Sequence, residues 1–303
     1  MHSVDTPLPD TLRDRVLARL ALDRAAVAPD LDGLRAVYGA WCAHVPFDNV
    51  RKMIALRTAA DTHGTPVPAT PLPGAHADDF LEAWLAHGTG GTCWPSSNAL
   101  YTLLRSLGFP ARRVAASMRD LGIPNHGSIK VALDGRDWLV DSSMLTGVPI
   151  PLDAANAVAG AAPFGAEVEA TDGTHVVWFA TPPHDHFPCR LLDDPVDHPF
   201  YLGAYEGSRG RSPFNDRIYA RRNLPGRKIV LRATTRFEQT ADGVAERELT
   251  RDALLAALRE EIGVAPAMVE AWVASGALED TFAPFDGPAP PPLTALPPSR
   301  RVG

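Results

Sequence analysis

Proline punctuates this chain. It occupies 29 of 303 positions, nearly twice the average share of about 5%. Each proline removes a backbone donor and fixes φ, so it ends or bends helices and is kept out of central strands. A chain broken this often is expected to be rich in loops and short elements, which argues against an all-helical bundle. Its length is about twice the commonest domain size and implies two or three packed units. With 45% hydrophobic and 21% charged residues those units are expected to be ordinary globular ones.

Lys+Arg 29 against Asp+Glu 36 leaves a formal charge of -7. That sign opposes a phosphate backbone or an anionic membrane, so neither nucleic acid nor membrane is an expected partner. No uncharged run reaches the ~18 residues of a membrane span. The first residues carry Asp5 and Asp10 without an apolar stretch, so no secretory signal or transit peptide is expected. Cys42, Cys93 and Cys189 are odd in number and far apart, which fits neither a disulfide framework nor a zinc pattern, and a cytoplasmic setting is expected.

Pro29-Asp30 stops one segment and caps the next, where Leu31, Leu34, Val37, Tyr38 and Trp41 recur at helical spacing before Pro46. Arg57 to His76 shows no periodicity and reads as a surface excursion, and Asp78 to Leu85 as a short helix. From Trp94, Leu100, Leu103, Leu104 and Leu107 mark an amphipathic helix closed by Gly108 and Pro110. The period then changes to that of strands. Arg112 to Met118, Ser128 to Leu133 and Arg136 to Val140 are strand-like, with Asp134-Gly135 a strong hairpin turn between the last two. Val148 to Phe214 continues with short strands and no long helix, giving a small antiparallel barrel or sheet. Lys228 to Glu238 and Val244 to Leu249 read as a hairpin, followed by a helix capped by Thr250.

Chemistry concentrates at Gly88-Thr89-Gly90-Gly91-Thr92-Cys93-Trp94, a thiol after a glycine-rich turn and just ahead of a helix. Free N–H groups and the positive end of the macrodipole favour a thiolate there. A two-residue turn at Asp134-Gly135 places Asp141 opposite Ser128, and His126 shares that face as a diagonal neighbour at about 7–8 Å between backbones. The spacing thus allows a Cys93–His126–Asp141 arrangement, with His126 as the base for Cys93 and Asp141 orienting the imidazole. His184-Asp185-His186 with Cys189 has only crude metal spacing and no second ligand cluster, so no metal is expected. Cys42 reads as core. Arg209, Arg211, Arg217, Arg221 and Arg222 read as a solvated loop, with phosphate contact the other candidate.

These segments resemble the arylamine N-acetyltransferases. Val45-Pro46-Phe47-Asp48-Asn49-Val50 is similar to their P-F-E-N-L segment, Gly90-Gly91-Thr92-Cys93-Trp94 to R-G-G-Y-C-F, and Leu107-Gly108-Phe109 to the L-G-F that ends the nucleophile helix. His126 and Asp141, with Trp138 and Leu139 between them, resemble their H…W-L-x-D segment, and Arg247 to Gly263 their C-terminal hairpin and helix. The resemblance implies an α+β fold of three parts: an N-terminal helical bundle over 1–108 carrying the cysteine, a central antiparallel β-barrel over 109–212 carrying His126 and Asp141, and a C-terminal α/β lid over 213–283. The Pro-rich 284–303 is expected to be unstructured.

The activity implied is acyl transfer through a cysteine acyl-enzyme. Acetyl-CoA or another acyl thioester, including one on an acyl-carrier protein, would be the donor and a small-molecule amine the acceptor, with no permanently bound cofactor. Relatives in biosynthetic pathways form amides at the same site. A transglutaminase-like amidase or peptidase is the alternative, since Cys-Trp on a helix followed by a His…Asp hairpin resembles that core as well. The chain departs from the family pattern at Thr89, where an arginine is usual, at Pro95, where a glutamate is usual, and at Ser142-Ser143-Met144, which replace V-G-F. Arg51 or Lys52 is the expected compensating cation beside Asp48, and the acceptor pocket is expected to be reshaped.

Overall fold

The computed structural model describes residues 7–60, 70–152, 158–160, 163–192, 194–284, 292–293 and 295–298. The first third forms α1 (Asp10–Arg19), α2 (Leu31–His44), β1 (Phe47–Asp48), α3 (Val50–Ala60), α4 (Ala77–His87) and α5 (Cys93–Ser106). α2 begins as expected, with the Asp30 carboxylate accepting from Gly33 N at 2.8 Å. Its buried Leu34, Val37 and Trp41 join Phe80, Trp84, Leu100 and Leu104 of α4 and α5 in one core that extends to Ile129 and Val131. α4 stops at Gly88, whose φ is +68 and where a Cβ would stand 2.1 Å from the Gly263 carbonyl oxygen. Only glycine fits that turn.

The excursion expected over Arg57 to His76 needs correction. α3 runs through Arg57, residues 61–69 lie outside the described residues, and Leu72 and Ala75 are buried beside Phe47 and Cys93. α3 shows no simple stripe because it serves the far end of the molecule. Val50 and Met53 pack with Leu254, Leu258 and Trp272, while Arg57 pairs with Asp280 at 2.5 Å.

The middle of the chain is a nearly closed, eight-stranded antiparallel barrel. Its strands are β2 (Ala111–Met118), β3 (His126–Leu133), β4 (Arg136–Val140), β5 (Ile150–Pro151), β6 (Val158–Ala159), β7 (Ala166–Thr171), β8 (Thr174–Thr181) and β9 (His184–Leu191), in the order β5-β4-β3-β2-β9-β8-β7-β6. Asp134 and Gly135 both have positive φ, 51 and 73, and the hairpin they make pairs Leu133 with Arg136 and Ile129 with Val140. That register is the expected one. The region does contain a helix that the sequence reading omitted: α6 (His198–Gly207), started by the Asp197 carboxylate on Phe200 N at 2.9 Å.

The last third forms β10 (Tyr219–Leu224), β11 (Arg227–Arg232), β12 (Thr235–Thr240) and β13 (Gly243–Glu248), then α7 (Arg251–Ala257) continuing as a π-helical turn Leu258–Ile262, α8 (Pro266–Ala274) and α9 (Ala277–Phe282). The single strand expected over Lys228 to Glu238 is two strands, folded back at Ala233 with φ 51. The sheet order β1-β10-β11-β12-β13 puts Phe47–Asp48 of the first third on its edge. Residues 284–303 fall mostly outside the described residues. No helix among the described residues is long and apolar enough to cross a membrane.

Candidate active site

Cys93 opens α5 and is 6% exposed. The loop before it is fixed by Asp48, whose buried carboxylate accepts from Gly90 N at 2.5 Å and Val50 N at 3.0 Å. A Cβ at Gly90 would stand 1.7 Å from the Pro46 carbonyl oxygen, and one at Gly91 2.8 Å from the Phe80 ring. Gly90 is required by close backbone approach and Gly91 by the Phe80 ring packed against it. Burial raises the Asp48 carboxyl to about 6 against the pull of those two N–H groups and Arg51.

β3 delivers the imidazole. The His126 ring meets Asp141 with Nε2 2.7 Å from Oδ2, and both side chains are buried. The Cys93 sulfur is 3.9 Å from the carbonyl oxygen of Asn125, the residue just before His126. The close approach of α5 to β3 depends on Gly127, where a Cβ would stand 2.6 Å from the Trp94 ring and 3.0 Å from that of Tyr201. Burial lowers the pKa of His126, but the Asp141 charge and hydrogen bond, with Cys93, outweigh it and leave the imidazole well above its ordinary value. Burial likewise raises Asp141, yet His126 and the N–H groups of Met144 and Ser143 hold it below the usual carboxylate range. Those two N–H groups reach Asp141 Oδ1 at 2.8 and 2.9 Å.

Tyr38 locks this turn from beneath. Its hydroxyl donates to Asp141 O at 2.8 Å, lies 2.9 Å from Thr146 Oγ1 and accepts from Asp141 N at 3.1 Å. In the sequence Tyr38 is visible only as an apolar repeat on α2, so this role was missed. From the other side Arg221 Nη1 donates to Ser143 O at 2.7 Å and Asn223 Nδ2 to Leu145 O at 2.7 Å.

The departures from the family pattern have physical outcomes. Thr89 is buried with an unpartnered hydroxyl, and Pro95 packs against Gly74 and Gly91. The expected compensation by Arg51 or Lys52 is not made as a direct pair with Asp48, although the Arg51 charge acts on that carboxyl. Arg51 bonds Asp79 at 2.8 Å and Lys52 donates to Ser208 Oγ at 2.7 Å, so the backbone N–H groups of Gly90 and Val50, not a cation, are the hydrogen-bonding partners of Asp48. Ser142 is buried, its hydroxyl 2.9 Å from that of Ser97 on α5.

The arginines read as a solvated loop have partners in several places, and two of them, Arg221 and Arg222, lie on β10. Arg209 pairs with Glu206 at 2.5 Å, Arg217 bonds Ala283 O, Arg222 reaches Ile262 O at 3.0 Å and Arg221 is buried at the site. Cys42 and Cys189 are both buried, and desolvation pushes Cys42 up to about 12 and raises Cys189 well above an ordinary thiol. Among the described residues no group of three or more His, Cys, Asp or Glu is placed to hold a metal ion.

A helical bundle that presents a thiol at a helix start to a His–Asp pair on a nearly closed barrel, backed by a sheet with helices, has the architecture of the arylamine N-acetyltransferases. The arylamine N-acetyltransferase of Mycobacterium marinum superposes with a TM-score of 0.75 at 17% identity, over 89% of this chain and 100% of that one. Those of Mycobacterium abscessus (0.69, 20%, 92% and 100%) and Nocardia farcinica (0.70, 20%, 88% and 95%) are similar to it as well. At these identities the likeness speaks for the fold. No curated protein sequence matches. Residues 30–162, which hold Asp48, Cys93, His126 and Asp141, match the family model described as N-acetyltransferase. Over those residues the chain is similar to the N-acetyltransferases.

Proposed function

We propose that the chain is a ping-pong acyltransferase in which Cys93 is the nucleophile, His126 its base and Asp141 the group that orients and stabilises the imidazolium. The contact of 2.7 Å between His126 Nε2 and Asp141 Oδ2 carries this reading, because it leaves Nδ1 as the ring nitrogen for the Cys93 thiol. Cys93 gives its proton to His126 and attacks the carbonyl of an acyl thioester. The new sulfur–carbon bond replaces that of the donor, and the departing thiolate takes the proton from His126. An amine then attacks the acyl-cysteine, His126 removes its proton, the carbon–sulfur bond breaks and the proton returns to Cys93. The unpaired N–H groups at the start of α5 are the donors for the oxyanion in both halves.

Acetyl-CoA is the donor this reading favours, with longer or carrier-bound acyl thioesters as variants and a biosynthetic setting among its uses. Intact-protein mass spectrometry after mixing with acetyl-CoA and longer acyl thioesters tests it. One acyl group is expected on the native chain, none on Cys93→Ser, and loss of the adduct when an amine is added. An adduct that persists in Cys93→Ser overturns the assignment, and discharge by water as fast as by every amine tried makes the protein a hydrolase instead.

A further inference from the structure

Lys52 lies in the first turn of α3 and is 3% exposed. Its Nζ donates to Ser208 Oγ at 2.7 Å and stands 5.7 Å from the centre of the Tyr205 ring. Ser208 gives its own hydrogen to Tyr205 O at 2.6 Å, so its oxygen is free to accept from the ammonium. Among the described residues Lys52 makes no ion pair. The charges around it are matched elsewhere: Glu206 is taken up by Arg209 at 2.5 Å and by Leu72 N at 2.6 Å, and Arg51 by Asp79 at 2.8 Å. A buried ammonium with one neutral partner is costly, and the positive end of a helix adds to that cost.

Its surroundings name the missing counter-charge. Tyr205, whose ring faces Nζ, packs in one buried cluster with Phe47, Cys93 and Trp94. α3 follows β1 after one residue, and Asp48 of β1 holds Gly90 in the loop that leads to Cys93. That loop brings no cation of its own, because Thr89 stands where an arginine is usual. Burial lowers Lys52 to about 8, and Cys93 is the foremost of the charges that oppose this, ahead of Glu206. At neutral pH the ammonium therefore persists, and the sulfur that acts on it becomes negative when His126 takes its proton.

We propose that Lys52 is a positioning residue for the nucleophile: its ammonium, held by Ser208 and Tyr205, stabilises the Cys93 thiolate through space and favours the thiolate–imidazolium form that attacks the acyl thioester. This rests on the assignment of Cys93 as nucleophile and adds to it the cation that acts on the sulfur. No bond to Lys52 forms or breaks. The thiol proton still passes to His126.

The test times iodoacetamide alkylation of Cys93 from pH 5 to 10 in the native protein, Lys52→Met and Lys52→Arg. Lys52→Met keeps the length of the side chain and removes its charge. Its alkylation midpoint should rise by about one pH unit, so that the rate at pH 6 falls about tenfold while the rates above pH 9 converge. Lys52→Arg should keep the native midpoint. A lysine that only supports the fold would change the rate at every pH and leave the midpoint where it was. Coupling between two charges is reciprocal, so Cys93→Ser should lower the titration midpoint of Lys52 by a similar amount. Carbon-13 NMR of ε-labelled lysine reads this in a chain whose other lysines are only Lys130 and Lys228, and it decides the matter should Lys52→Met fail to fold. An unmoved alkylation midpoint in folded Lys52→Met, or an unmoved Lys52 titration in Cys93→Ser, overturns the inference alone. A native Cys93 that resists alkylation throughout the range overturns its assignment as nucleophile, and the inference falls with it.

Discussion

Asp141 is the only carboxylate hydrogen-bonded to His126 among the described residues, and the two side chains share one short contact, 2.7 Å from Nε2 to Oδ2. Asp141→Asn keeps an oxygen for the N–H groups of Ser143 and Met144 but turns an amide toward the imidazole. The expected result is a folded protein whose acyl transfer falls by as much as on the order of 10⁴-fold, because the amide favours the wrong tautomer and no longer stabilises an imidazolium. Circular dichroism and single-turnover acylation check the two halves. Activity within tenfold of the native enzyme would remove Asp141 from the mechanism.

Iodoacetamide at neutral pH should label Cys93 first and nearly alone. Cys93 sits at a helix start within reach of a base, while burial holds Cys42 and Cys189 as protonated thiols. Peptide mapping over a time course reads this directly, and rapid labelling of either other cysteine counts against the assignment.

Asp48 predicts a pH dependence of stability. Its carboxyl is lifted from an ordinary 3.8 to about 6, so between those values the folded chain binds the proton and the unfolded chain releases it. Stability is thereby lost as pH rises from about 4 to 6, by roughly 3 kcal/mol at most for a shift of this size. Asp48→Asn removes that loss. Its melting temperature relative to the native protein should be higher at pH 7 than at pH 4, and parallel curves would refute the account.

Gly127→Ala tests the approach of α5 to β3. A Cβ there meets Trp94 at 2.6 Å and Tyr201 at 3.0 Å, and Tyr201 is pinned through its hydroxyl to Val114 O and Ser128 O at 2.9 and 2.6 Å. Overpacking of this kind costs about 1–3 kcal/mol, readable as a lower urea midpoint, with slower acylation because Trp94 adjoins Cys93.

Much of the local chemistry was legible in the residues. The Asp134-Gly135 turn set the register that brings Asp141 to the face of His126, and Asp30 and Thr250 cap the helices they precede. What escaped notice was long-range or double-sided. α3 carries no clean stripe because it packs on α8 and α9 from the opposite end of the chain. The start of α6 at Asp197-His198-Pro199 is a cap signal set within a run of turn residues. The fold-back at Ala233 lacks the glycine or asparagine that usually marks positive φ. Tyr38 and Arg221 are single residues whose partners lie 103 and 78 positions away, and no local pattern encodes such pairings.

β10 touches the site at two points, pairing with Phe47–Asp48 and clamping the turn after Asp141 through Arg221 and Asn223. On the ribosome Cys93, His126 and Asp141 all emerge before that strand exists. Synthesis proceeds from the N-terminus at about 5–20 residues per second, so the nascent thiol passes several seconds without the strand that braces both its loop and the turn of its orienting carboxylate. A chain halted after residue 212 would hold Cys93, His126 and Asp141 yet lack both sets of contacts that β10 makes.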